Sequence, residues 1–126
     1  MTWMDKIKKD HNLYGLRNFF MLYCSLRVLD STLIDTIIPI INDENFSLQY
    51  LQQIDEDELT VLIKSVGFQN KRVKDLKKAI KQVADDFGGK IPDTEDQIRK
   101  IHGVRQKISL LILEEVFNKV EVSLFE

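Results

Sequence analysis

Apolar residues along this chain recur at helical spacing almost throughout, and alternation is confined to its end. Leu13 to Leu26 is apolar-rich and too long for a strand, which predicts a helix buried on most of its sides. Asp30 and Ser31 offer an N-cap to a second helix carrying Leu33, Ile34, Ile37, Ile38 and Ile41. Pro39 lies inside that pattern and is expected to kink the helix or end it early. Asn42 to Asn45 reads as a polar loop, Ser47 as the cap of a short helix, "SLQYLQQI", and "DEDELTVLIKSVG" as an acid-fronted helix closing at Gly67.

The clearest periodicity follows. Val73, Leu76, Ile80, Val83 and Phe87 step along one apolar stripe, while Lys71, Lys74, Lys78 and Lys81 step along another face. Gly88 and Gly89 stop this helix, and "KIPDT" turns the chain. Asp93 and Thr94 then cap a helix through Ile101. After "HGV" a last helix runs from Arg105 to Phe117, with Ile108, Leu111, Ile112 and Val116 as its buried face. "KVEVSLFE" alternates like a short strand or an extended tail. The predicted class is all-α, and 126 residues suit one domain over 1–126.

Composition narrows the function. Apolar residues make up 44% and charged residues 30%, as in ordinary soluble domains. The net charge of −2 conceals a division. Val28 to Ile63 holds eight acids and no Lys or Arg, whereas Lys64 to Lys107 holds twelve Lys or Arg against six acids, a net of +6. The basic part is either a surface for an anion or one of two solvated faces of opposite sign. Cys24 is the only cysteine, which excludes a disulfide framework and any all-cysteine metal cluster within the chain. Its neighbours in "FFMLYCSL" suggest a buried, inert thiol. Neither a signal-peptide pattern nor an unbroken apolar run of membrane-spanning length is present, so the expectation is an intracellular protein without membrane contact.

The stretch from Ser65 to Phe117 resembles the helix–hairpin–helix DNA glycosylases of the endonuclease III type. That family reads a "VGF/IGL" turn, a basic helix, a "G-x-I/V-P" turn, a short helix and "LPGVGxKxA". The counterparts are Val66-Gly67-Phe68, the Lys71–Lys81 helix, Gly89-Lys90-Ile91-Pro92, and Ile101 to Lys107. Upstream, "CSLRVLD" keeps Ser25 and Asp30 of a further family motif. The resemblance implies a compact orthogonal bundle like the six-helix barrel domain of endonuclease III, with a helix–hairpin–helix over about residues 94–117.

It also implies chemistry. A hairpin of this kind presents backbone N–H groups and a helix N-terminus to a nucleic-acid phosphate, and glycine admits close approach. Gly103, Val104, Arg105 and Lys107 are the hairpin residues placed to do so, with Lys71, Lys74, Lys78 and Lys81 as a basic face. Lys107 holds the position of the family's Schiff-base nucleophile, which attacks the sugar of a flipped-out nucleotide, and is either that nucleophile or a solvated or phosphate-facing lysine at the start of a helix. Arg27 corresponds to the glutamine that fills the gap left by the flipped base, and is either a wedge or a surface residue.

The departures matter as much. Arg105 replaces the second hairpin glycine and His102 the proline, and His102 is expected to serve as a turn residue rather than a ligand or base. The family's carboxylate position, about eighteen residues beyond the lysine, falls on Phe125 or Glu126 without its usual context. Only the central barrel is represented, so the cleft is expected to be open and apolar surface to require a protein partner or self-association. Two readings follow. One is a catalytically inactive module that binds DNA or RNA, or that serves as a structural subunit of a larger assembly such as a ribonucleoprotein. The other is a DNA glycosylase/AP lyase of base-excision repair using Lys107, with missing parts supplied by another chain.

Overall fold

A computed structural model describes residue 7 and residues 13–24, 31–63, 70–104 and 106–117. Seven helices follow one another and no strand occurs among the described residues. They are α1 (Tyr14–Cys24), α2 (Ser31–Ile41), α3 (Leu48–Gln53), α4 (Glu56–Leu62), α5 (Asn70–Asp86), α6 (Glu95–Ile98) and α7 (Gln106–Phe117).

The unbroken apolar run of α1 has the expected consequence. Every residue from Leu16 to Cys24 is buried, leaving no solvent face. Helices α2 and α7 pack against it, α3 and α4 pack against α5, and α6 packs on α7. One cluster of buried apolar side chains draws on all seven helices. Within it the Phe20 and Phe46 rings meet edge to face, with centroids 5.8 Å apart. The Arg17 guanidinium enters the core over the Phe46 ring, 5.5 Å from its centroid. Cys24 is buried, as its neighbours suggested.

Several boundaries differ from the expected ones. Pro39 does not end α2, which continues to Ile41, because Pro39 and Asp35 are both exposed. The intrahelical hydrogen bond that Pro39 cannot donate to the Asp35 carbonyl is lost on the exposed side of the helix. Helix α4 stops at Leu62, with the Ile63 N–H returning to the Leu59 carbonyl, rather than running to Gly67. Ser47 caps α3 as expected, accepting from the Tyr50 N–H at 3.0 Å. At the end of α5, Phe87 falls just beyond the last turn. Gly88 and Gly89 adopt left-handed φ of 63° and 83°, and the Gly89 N–H reaches the Val83 carbonyl at 2.8 Å.

Thr94 caps α6 through the Gln97 N–H, but α6 closes at Ile98 instead of Ile101. The remaining residues form successive turns that swing the chain into α7. On α7 the buried side is broader than expected. Leu110 and Leu113 join Ile108 and Ile112 inside, and Leu111 and Val116 are half-buried. A helix held between α1 and α6 buries two adjoining faces, which a single-stripe reading misses. The Val66-Gly67-Phe68 turn, Ser25, Arg27, Asp30 and the "KVEVSLFE" tail lie outside the described residues.

Candidate nucleic-acid interface

The turn between α6 and α7 is built around Gly103. Its φ of 82° lies in the left-handed region, and a Cβ there would collide with the hydroxyl of Tyr23. That hydroxyl, carried up from the buried part of α1, donates to the His102 carbonyl at 2.9 Å. Two helices therefore define the turn from beneath: α1 through Tyr23, and α5 through a second set of contacts.

The contacts from α5 centre on Gln82. Its Nε2 donates to the Lys100 carbonyl at 2.8 Å, and its Oε1 accepts the His102 N–H. One side-chain amide thus satisfies a carbonyl and an N–H two residues apart, as a neighbouring strand would. Two turns earlier on α5, Asp75 accepts from His102 Nε2 at 2.9 Å. A carboxylate only accepts, so the imidazole carries its proton on that nitrogen. His102, read from sequence as a turn residue, is held by three of its own groups: N–H, carbonyl and ring.

This clamp brings the lysine face of α5 beside the hairpin. Lys78 and Lys81 share an open groove of about 430 Å³ with Gln82, Lys100 and His102. A second groove of about 660 Å³ continues along α5 past Lys74, Lys77, Lys78 and Lys81 to Gln52 and Glu56. Lys74, Lys78 and Lys81 are exposed. Lys81 pairs with Asp85 at 2.8 Å. Asp85 and Asp86 also line the first groove, so the surface is mixed rather than uniformly basic.

Lys77 does something different. It points at the C-terminus of α3, where its Nζ donates to the carbonyls of Leu51 and Gln52 at 3.0 Å each and to that of Ile54. These are carbonyls that a helix end leaves without intrahelical partners, and a cation there also meets the negative end of the helix dipole.

The remaining nominated residues separate. Gly103 is exposed at the turn. Val104 is not: its side chain is buried, and its N–H donates to the Ile101 carbonyl at 3.1 Å. Lys107 is the second residue of α7, and Lys71 the second of α5, but their side chains lie outside the described residues, as does Arg105. Sequence reading missed Gln82, Asp75, Tyr23 and Lys100. The one available signal was that Gln82 and Asp75 stand a helical spacing from Lys78 on the polar side of α5.

Among the described residues no group of three or more His, Cys, Asp or Glu stands together as a metal site. The iron–sulfur cluster carried by many endonuclease III enzymes needs four thiolates. This chain has one cysteine, and it is buried in α1, so its residues do not fit that group. No described helix is long and apolar enough to cross a membrane. Val61 and Leu62 are the large apolar side chains exposed among the described residues, on the acid-fronted α4.

No family model matches the chain. It is 31% identical over 80 residues to endonuclease III homolog 1 of Saccharomyces cerevisiae, covering 64% of this chain and 20% of that protein. It is 36% identical over 72 residues to the endonuclease III homolog of Schizosaccharomyces pombe, covering 57% of this chain and 20% of that one. Endonuclease III of Bacillus subtilis matches at 31% over 61 residues, 48% of this chain and 28% of the bacterial protein. The matched part spans between a fifth and about a quarter of these relatives' length.

Proposed function

Because the chain is related to the endonuclease III family of helix–hairpin–helix DNA glycosylases, we propose that it is a nucleic-acid-binding module of that type, without base-excision catalysis of its own. The observation that carries the reading is the Gln82 clamp. It fixes the hairpin turn against the lysine-bearing helix α5, so that Lys78 and Lys81 of α5 line one groove with Lys100 and His102 of the turn, a set of side-chain donors suited to phosphate. The inactive half of the reading is supported by Arg105 at the second hairpin glycine and His102 at the proline. The module serves in a larger assembly, through contact with DNA or RNA or as a structural subunit.

The experiment is equilibrium binding to fluorescent oligonucleotides, single- and double-stranded, across a salt series. The module binds with affinity that falls steeply with salt, and Lys78→Ala flattens the log–log slope by about 0.9 for duplex DNA. Salt-independent binding, or none, overturns the reading.

A second reading rests on Lys107, which stands in the first turn of α7 directly after the hairpin, where the family places its nucleophile. Under it the chain is a DNA glycosylase/AP lyase that forms a Schiff base with an abasic sugar. Borohydride trapping on abasic DNA separates the two. A covalent adduct lost in Lys107→Ala establishes catalysis, and no adduct at concentrations that saturate the DNA leaves the binding module.

A further inference from the structure

The groove between α5 and the hairpin contains a carboxylate that a plain phosphate site would not want. Lys78, Lys81 and Lys100 line it, but so does Asp85, one helical turn beyond Lys81. The two are bonded at 2.8 Å although both are open to water, with side-chain exposures of 76% and 53%. Asp85 holds the Lys81 amine above its ordinary pKa, first by the hydrogen bond and then by its charge, with a lesser attraction from Asp86. Lys81 is therefore a firmly protonated cation whose charge is answered locally. Among the described residues Lys78 and Lys100 form no ion pair.

We propose that Asp85 is an intramolecular competitor for phosphate: it occupies Lys81 in the free protein and yields it to a nucleic-acid strand whose backbone enters the groove beside Lys78 and Lys100. The inference rests on the nucleic-acid reading above. An exposed ion pair is worth little, so its exchange for a phosphate is easy once that phosphate is already held nearby. A strand satisfies this condition, because its neighbouring phosphates reach Lys78 and Lys100 at the same time. An isolated anion does not, and must displace Asp85 alone.

The test is a double-mutant cycle on the full chain, read as oligonucleotide affinity at fixed salt. The variants are Asp85→Asn, Asp86→Asn, Lys81→Ala and Lys81→Ala/Asp85→Asn, each first shown to unfold like the wild type. Asp86→Asn makes the same change in net charge in the same groove without removing the bond to Lys81. Asp85→Asn tightens binding by about two- to fivefold, the worth of an exposed ion pair. Asp86→Asn tightens it less, and in the Lys81→Ala background Asp85→Asn gains no more than Asp86→Asn does. Equal effects of the two aspartates, or a gain that survives without Lys81, overturn the competitor while leaving the binding module intact. A wild-type chain that binds neither single nor double strands overturns both.

Discussion

The hydroxyl of Tyr23 and the α-carbon of Gly103 share a space too small for one more carbon, although eighty positions separate them in the chain. The same hydroxyl donates to the neighbouring His102 carbonyl, so the buried helix α1 both supports the hairpin turn and sets how close it lies. Gly103→Ala places a Cβ against that hydroxyl and in a left-handed conformation. Unfolding in urea is expected to show a loss of about 2–4 kcal/mol, strain and overlap together. Tyr23→Phe removes the hydrogen bond at a cost of about 1–2 kcal/mol. It also removes part of the obstruction, so the double variant is less destabilised than the two singles predict together.

Lys77 and Lys78 are adjacent lysines with different work. Lys77 caps three carbonyls at the end of α3, whereas Lys78 faces the groove. Lys77→Met keeps the aliphatic stem and loses the charged donor, and is expected to cost about 1.5–3 kcal/mol in a denaturant melt. Lys78→Ala stays within about 0.5 kcal/mol, as surface substitutions do. On oligonucleotide binding the order reverses for any variant that remains folded.

Gln82 holds the hairpin by one donor and one acceptor. Gln82→Glu keeps the acceptor for the His102 N–H and loses the donor to the Lys100 carbonyl. Gln82→Leu loses both. Amide hydrogen exchange at His102 is expected to remain protected longer in the Glu variant than in the Leu variant, with α1 unaffected in either.

The Cys24 thiol lies in the interior of the bundle. A thiol reagent in excess should label it no faster than the protein opens, and rapidly in denaturant. Labelling of the folded chain at the rate of a free thiol would place Cys24 at the surface instead.

Where a helix has one wet side, the sequence was legible. The α5 stripe of Val73, Leu76, Ile80 and Val83 is buried as its spacing requires, and the caps Ser47 and Thr94 stand where expected. Helix α7 was less legible, because two neighbours cover it and its burial no longer follows one stripe. The ends of α4 and α6 were misjudged for a related reason: short helices are stopped by packing and turn hydrogen bonds more than by glycine. The hairpin itself was recognisable from residues, but what fastens it was not. Tyr23 and Gln82 lie 79 and 20 positions from His102, and nothing in local spacing announces such partners.

That fastening also orders events during folding. The turn at His102 and Gly103 has few means of holding its shape alone, since its donors and acceptors are answered by α1 and α5. Closing the loop back to Tyr23 is a distant contact, slow to form and entropically costly. The turn therefore settles only after α1 and α5 have come together. A substitution deep in α1 that slows this docking delays assembly of the groove between α5 and the turn by the same amount, so recovery of the oligonucleotide binding proposed for it should trail the recovery of helicity during refolding.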